Sequence, residues 1–64
     1  MSKLERTLYL FGLAYGILLH RGGITSPELD ALNSLLVELD REEAGKVARQ
    51  YPEVINEIHK QMFS

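Results

Sequence analysis

Residues 8–19 read LYLFGLAYGILL, twelve positions without a charge, and the fold turns on how this stretch is read. It is too short to cross a bilayer as a helix, which needs ~20 apolar residues. Lys3 and Arg6 precede it as in a secretion signal, but Glu5 lies among them. His20-Arg21-Gly22-Gly23 follows where a small-residue cleavage site would stand. The expected reading is a buried helix of a cytoplasmic protein. Turning about 100° per residue, Leu4, Leu8, Phe11, Tyr15 and Leu18 share one face of that helix. A surface helix would be polar on its other side. Here the opposite side carries Leu10, Leu13 and Ile17, flanked by Tyr9 and Gly16 and bounded by Arg6 and His20.

Outward from this spine, the punctuation is helical throughout. Ser2 and Glu5 have capping-box spacing, in which each side chain satisfies an orphan backbone N–H, so the first helix is expected over 3–21. Gly22-Gly23 ends it, because glycine readily takes the left-handed conformation of a helix C-terminus. A second helix opens in Ile24-Thr25-Ser26-Pro27-Glu28. Either Thr25 caps it with Glu28 as partner and Ile24 stapled to Leu29, or Ser26 caps it with Pro27 at the first helical position. Leu29, Leu32, Leu35, Leu36 and Leu39 form its stripe, giving an expected span of 26–39. Asp40 and Glu43 repeat the capping box and start a third helix, 41–50, with Ala44, Val47, Ala48 and Tyr51 on one face. Pro52 breaks that helix and suits the first turn of a fourth, 52–62, with Val54, Ile55, Ile58 and Met62 inside. No segment alternates with period two, so no strand is expected.

The predicted fold class is therefore all-α: residues 1–64 form a single helical domain, a compact bundle of three to four short helices. A chain of 64 residues makes a marginal domain. Below ~70–80 residues one core rarely supplies more than ~3–5 kcal/mol, and small folds lean on disulfides, metals or oligomerisation. There is no cysteine, which removes disulfides and thiolate metal sites. Burying a large aliphatic side chain is worth ~1.5–3 kcal/mol, so leaving Leu10, Leu13 and Ile17 wet would forgo several. Gly12 and Gly16 point the same way: glycine inside a helix costs ~0.5–1 kcal/mol, and close approach of another helix would justify it. The expected outcome is a homodimer through the first helix, with Tyr9, Leu10, Leu13, Gly16 and Ile17 as interface. A monomer whose other helices wrap the spine is the competing arrangement.

Few residues offer chemistry. Gly22, Ile24 and Glu28 match the second half of an EF-hand loop at positions six, eight and twelve. The early positions, which should be carboxylates, are Ile17, Leu19 and Arg21, so no calcium site is expected. The same segment resembles the opening helix–turn–helix of tellurite-resistance-B-like domains, whose turns carry a glycine, an isoleucine and a Ser/Thr before an acidic helix start. That resemblance spans about residues 8–36 and implies no more than a helix–turn–helix corner. His20 and His59 are not paired at ligand spacing, and neither a catalytic triad nor a phosphate loop can be assembled. No catalytic residue, metal or cofactor is expected, and the chain is read as no enzyme.

The net charge of −2 disfavours nucleic-acid binding, which normally needs a basic surface. Glu28, Asp30, Glu38, Asp40, Glu42 and Glu43 gather mid-chain, mostly near helix N-termini where negative charge is favourable. An acidic docking patch for a basic partner is the alternative use of them. A helix-turn-helix DNA reader can be drawn over 26–50, with Arg41, Lys46, Arg49 and Gln50 on its second helix. Glu42 and Glu43 would then meet phosphates at the end that enters the groove. The functional expectation is a small regulatory module that binds protein without catalysis. A DNA-associated regulator and a subunit of a larger assembly are the alternatives.

Overall fold

The structure, a computed structural model, describes residues 1–63. The first three helices start where side chains satisfy free backbone amides. Ser2 Oγ accepts from the Glu5 N–H at 3.1 Å while the Glu5 carboxylate accepts from the Ser2 N–H, and α1 runs Lys3–Arg21. Gly22, at φ 78°, ends it by donating its N–H to Leu18 O at 2.9 Å. Thr25 rather than Ser26 is the cap of α2 (Ser26–Val37). Asp40 Oδ1 accepts from the Glu43 N–H at 2.8 Å and opens α3 (Arg41–Gln50). Pro52 displaces Tyr51 to φ −129° and ψ 61°, which separates α3 from α4 (Pro52–Met62). There is no strand among the described residues.

α2 stops two residues earlier than its leucine spacing predicts. The amides of Glu38 and Leu39 bond three residues back, to Leu35 O and Leu36 O, so the last turn tightens.

All four helices contribute to one core, and each touches the other three. Phe11, Ala14, Leu29, Leu32, Val47, Val54 and Ile58 meet there with Ile24 from the α1–α2 corner. Ile24 and Leu29 bracket the Thr25 cap as the predicted staple, both buried. Among the described residues Thr7 is the one buried polar residue, its hydroxyl donates to Lys3 O at 2.8 Å, and no buried side-chain polar atom lacks a partner. The radius of gyration, 10.9 Å, is what a closed domain of this length has, about 10.7 Å. Met62, expected inside, is 41% exposed, and Val54 and Ile58 carry the α4 contribution instead.

The two α1 glycines part company. A Cβ on Gly12 would stand 3.0 Å from the Tyr51 hydroxyl, so this glycine makes room for a ring of its own chain. Tyr51 lies tilted against Phe11 and Tyr15, with ring centroids 6.5 and 6.2 Å away, and so pins the α3–α4 junction to α1. Gly12 therefore needs no second molecule to explain it. Beyond its own turn of helix, Gly16 has no atom within 4 Å of where its Cβ would be.

Candidate docking surface

The centre of α1 buried against the core is Thr7, Phe11 and Ala14. About a quarter of a turn away, Leu10, Leu13 and Ile17 form one wall of an open cleft of about 270 Å³. Ala31 and Leu35 of α2 form the other wall, and Ala14, Ile24 and Leu32 reach it from the core beneath. Leu10 and Ile17 each rest partly on the core and partly on the cleft. Leu13 is 50% exposed, and Tyr9, on the outer side of the same helix, is 61% exposed. Of the five residues predicted for an interface, Leu10, Leu13 and Ile17 thus line the cleft. Tyr9 and Gly16 lie outside it, on the adjoining outer face of α1.

Leu35 departs from its expected place. Its spacing groups it with the core stripe of α2, yet it does not join the core cluster and lines the cleft instead. The reason is angular. Leu29, Leu32 and Leu36 centre on one direction of the helix, and Leu35, one residue before Leu36, points about 100° away from it. Ala31 is turned the same way, and its short side chain leaves the hollow open.

One charged residue enters the lining. Glu28 Oε1 accepts from the Thr25 hydroxyl at 2.6 Å, the Thr25 N–H at 3.0 Å and Arg21 Nη2 at 2.6 Å. The Thr25 hydroxyl, then its backbone N–H, then the Arg21 guanidinium hold this carboxyl below its ordinary pKa. The glutamate that fell at an EF-hand position is thus committed to capping α2 and pairing with Arg21. Among the described residues no group of three or more His, Cys, Asp or Glu is placed to hold a metal ion. His20 and His59 are both exposed and far apart in sequence, and His59 stands edge-on to Phe63 with centroids 5.5 Å apart.

The acidic residues divide by role. Glu28, Asp40 and Glu43 serve caps, while Asp30, Glu38 and Glu42 are exposed. Arg41, Lys46, Arg49 and Gln50 are exposed on α3, whose first turn carries Glu42 and Glu43.

The chain was compared with family models, curated proteins and solved structures, and none of them matches it. The short resemblance over residues 8–36 is accounted for by the glycine C-cap and the Thr25–Glu28 cap just described. Among the described residues, no helix is long and apolar enough to cross a membrane.

Proposed function

We propose that this chain is a non-catalytic interaction module whose first partner is a second copy of itself, docked over the α1–α2 cleft. The supporting observation is the continuity of the hollow with exposed Leu13 and Tyr9, which joins cleft and outer helix face into one apolar surface. Leu19, Val37 and Phe63 are also exposed, but none of them lines the cleft, and single exposed apolar residues are ordinary.

Magnitudes set how far the contact must extend. Association costs an estimated 4–15 kcal/mol in lost freedom, and a buried large aliphatic side chain returns about 1.5–3. Leu13 alone is therefore insufficient. A standard interface covers roughly 800 Å² per partner, which would be about a fifth of this protomer's 4378 Å². Such an area reaches across the cleft, so Ala31 and Leu35 of α2 belong to the proposed contact along with Tyr9, Leu10, Leu13, Gly16 and Ile17.

Sedimentation velocity from micromolar to near-millimolar protein tests this reading. Concentration-dependent dimerisation, abolished in Leu13→Glu while helical circular dichroism is retained, supports it. A wild type that stays monomeric across the range overturns it. A heteromeric subunit would instead hold a stoichiometric, specific partner and release it in the same variant.

A further inference from the structure

The corner that closes one end of the cleft is held from the far end of the chain. Among the described residues, nearly every side-chain hydrogen bond joins groups within seven positions of each other. Two bonds are exceptions, spanning 35 and 37 positions, and both belong to Gln61 in the last turn of α4. Its Nε2 donates to Ile24 O at 3.0 Å and to Glu57 Oε1 at 3.1 Å. Its Oε1 accepts from the Ser26 hydroxyl at 3.0 Å. Ile24 and Glu28, on either side of this grip, line the cleft.

We infer that Gln61 is a positioning residue for the docking surface: its amide clasps the α1–α2 corner and thereby sets the end wall of the cleft. The chemistry suits an amide specifically. The Ile24 carbonyl needs a donor and the Ser26 hydroxyl needs an acceptor, and only an uncharged side chain with both satisfies the two together. Glutamate would set a carboxylate oxygen against the carbonyl, and leucine would satisfy neither group. α3 takes no part in the grip, so a fault there leaves the corner intact. The functional consequence rests on the self-association proposed above, whereas the clasp itself does not.

The test uses Gln61→Leu and Gln61→Glu, with Asp40→Ala as a comparison that weakens the cap of α3 away from the corner. Amide hydrogen exchange is followed at residues 24–26, 28 and 29, and the dimer dissociation constant by sedimentation equilibrium. Both Gln61 variants are expected to speed corner exchange about five-fold, the scale of one net hydrogen bond, and to weaken dimerisation by a similar factor. Asp40→Ala, at a comparable loss of melting temperature, is expected to leave both unchanged. Unaltered corner exchange in the Gln61 variants overturns the clasp. Equal weakening of the dimer by Asp40→Ala overturns the positioning role, because general destabilisation would then suffice. A monomeric wild type whose corner exchange still rises in Gln61→Leu sinks the self-association reading and leaves the clasp standing.

Discussion

Phe11 and Leu13 stand two residues apart on α1, both large and apolar, and their surroundings are opposite. Phe11 is fully buried in the core to which all four helices contribute, while Leu13 looks out over the cleft at 50% exposure. The two sides of one helix thus have similar composition and different fates, because three short helices can wrap only one of them. α2, α3 and α4 converge on the Thr7–Phe11–Ala14 side, and Tyr51 closes the flank at Gly12. On the other flank α2 covers Leu10 and Ile17 only in part. Apolar content says how much surface seeks cover. It does not say which residues of the same chain will supply it.

The widest separation of the two sides should come from Phe11→Ala, which empties the core. Phe→Ala in a core costs ~3–5 kcal/mol, comparable with the whole stability of so small a domain. The expected result is loss of the cooperative thermal transition followed by circular dichroism; a variant melting within a few degrees of wild type would show that Phe11 is not central.

The next contrast is sharper. With Leu35 in the core stripe, as its spacing predicts, Leu35→Glu should unfold the chain. With Leu35 partly buried on the cleft wall, the variant should still fold, losing about 1–2 kcal/mol for the share of the side chain that is covered, and should fail to dimerise as Leu13→Glu does. Urea unfolding beside sedimentation separates the two outcomes, and an unfolded Leu35→Glu would return that leucine to the core.

A smaller effect distinguishes the glycines. Gly16→Ala should gain ~0.5–1 kcal/mol in the monomer, since alanine is the better helix former and open space awaits its methyl. Gly12→Ala should lose that advantage by displacing the Tyr51 ring. The urea midpoints are expected in the order Gly16→Ala above Gly12→Ala, and the reverse order would refute the seat assigned to Tyr51.

The smallest effect is acid-linked. Glu28 titrates below its ordinary value in the fold because Thr25 and Arg21 favour the charged form. Its stabilising contribution is therefore present above the unfolded carboxyl pKa, about 4.3, and is lost as pH falls through the lower folded value. Wild type should exceed Glu28→Gln in stability at neutral pH, and the gap should narrow toward pH 3. A gap independent of pH would mean that the carboxylate's charge is irrelevant to the cap.

Much of the fold was legible because capping is local. The pairs Ser2–Glu5 and Asp40–Glu43, the alternatives at Thr25–Ser26, Gly22 and Pro52 place three helices within the predicted bounds and miss the fourth only at its C-terminus. That miss lies at Glu38 and Leu39, whose amides bond to carbonyls three residues back instead of four and so end α2 in a tightened turn. The candidate surface was legible in part, since Leu10, Leu13 and Ile17 are displaced from the Phe11 face by helical geometry alone. Ala31 and Leu35 were not, because a leucine at the edge of a stripe points equally well to a core or to a groove until its neighbours are known. Thr7 has the spacing from Phe11 and Ala14 that places it on the buried face, but its hydroxyl disguises it as a surface residue.

Residue order alone determined the helices, the turns between them and the surplus of apolar surface on α1, since each follows from groups a few positions apart. Tertiary structure decided that Tyr51 fills the space at Gly12, that Leu35 joins the cleft and that Gln61 grips the corner at Ile24. These contacts join residues that only the packing of four helices brings together, and no local spacing encodes the direction in which one helix approaches another.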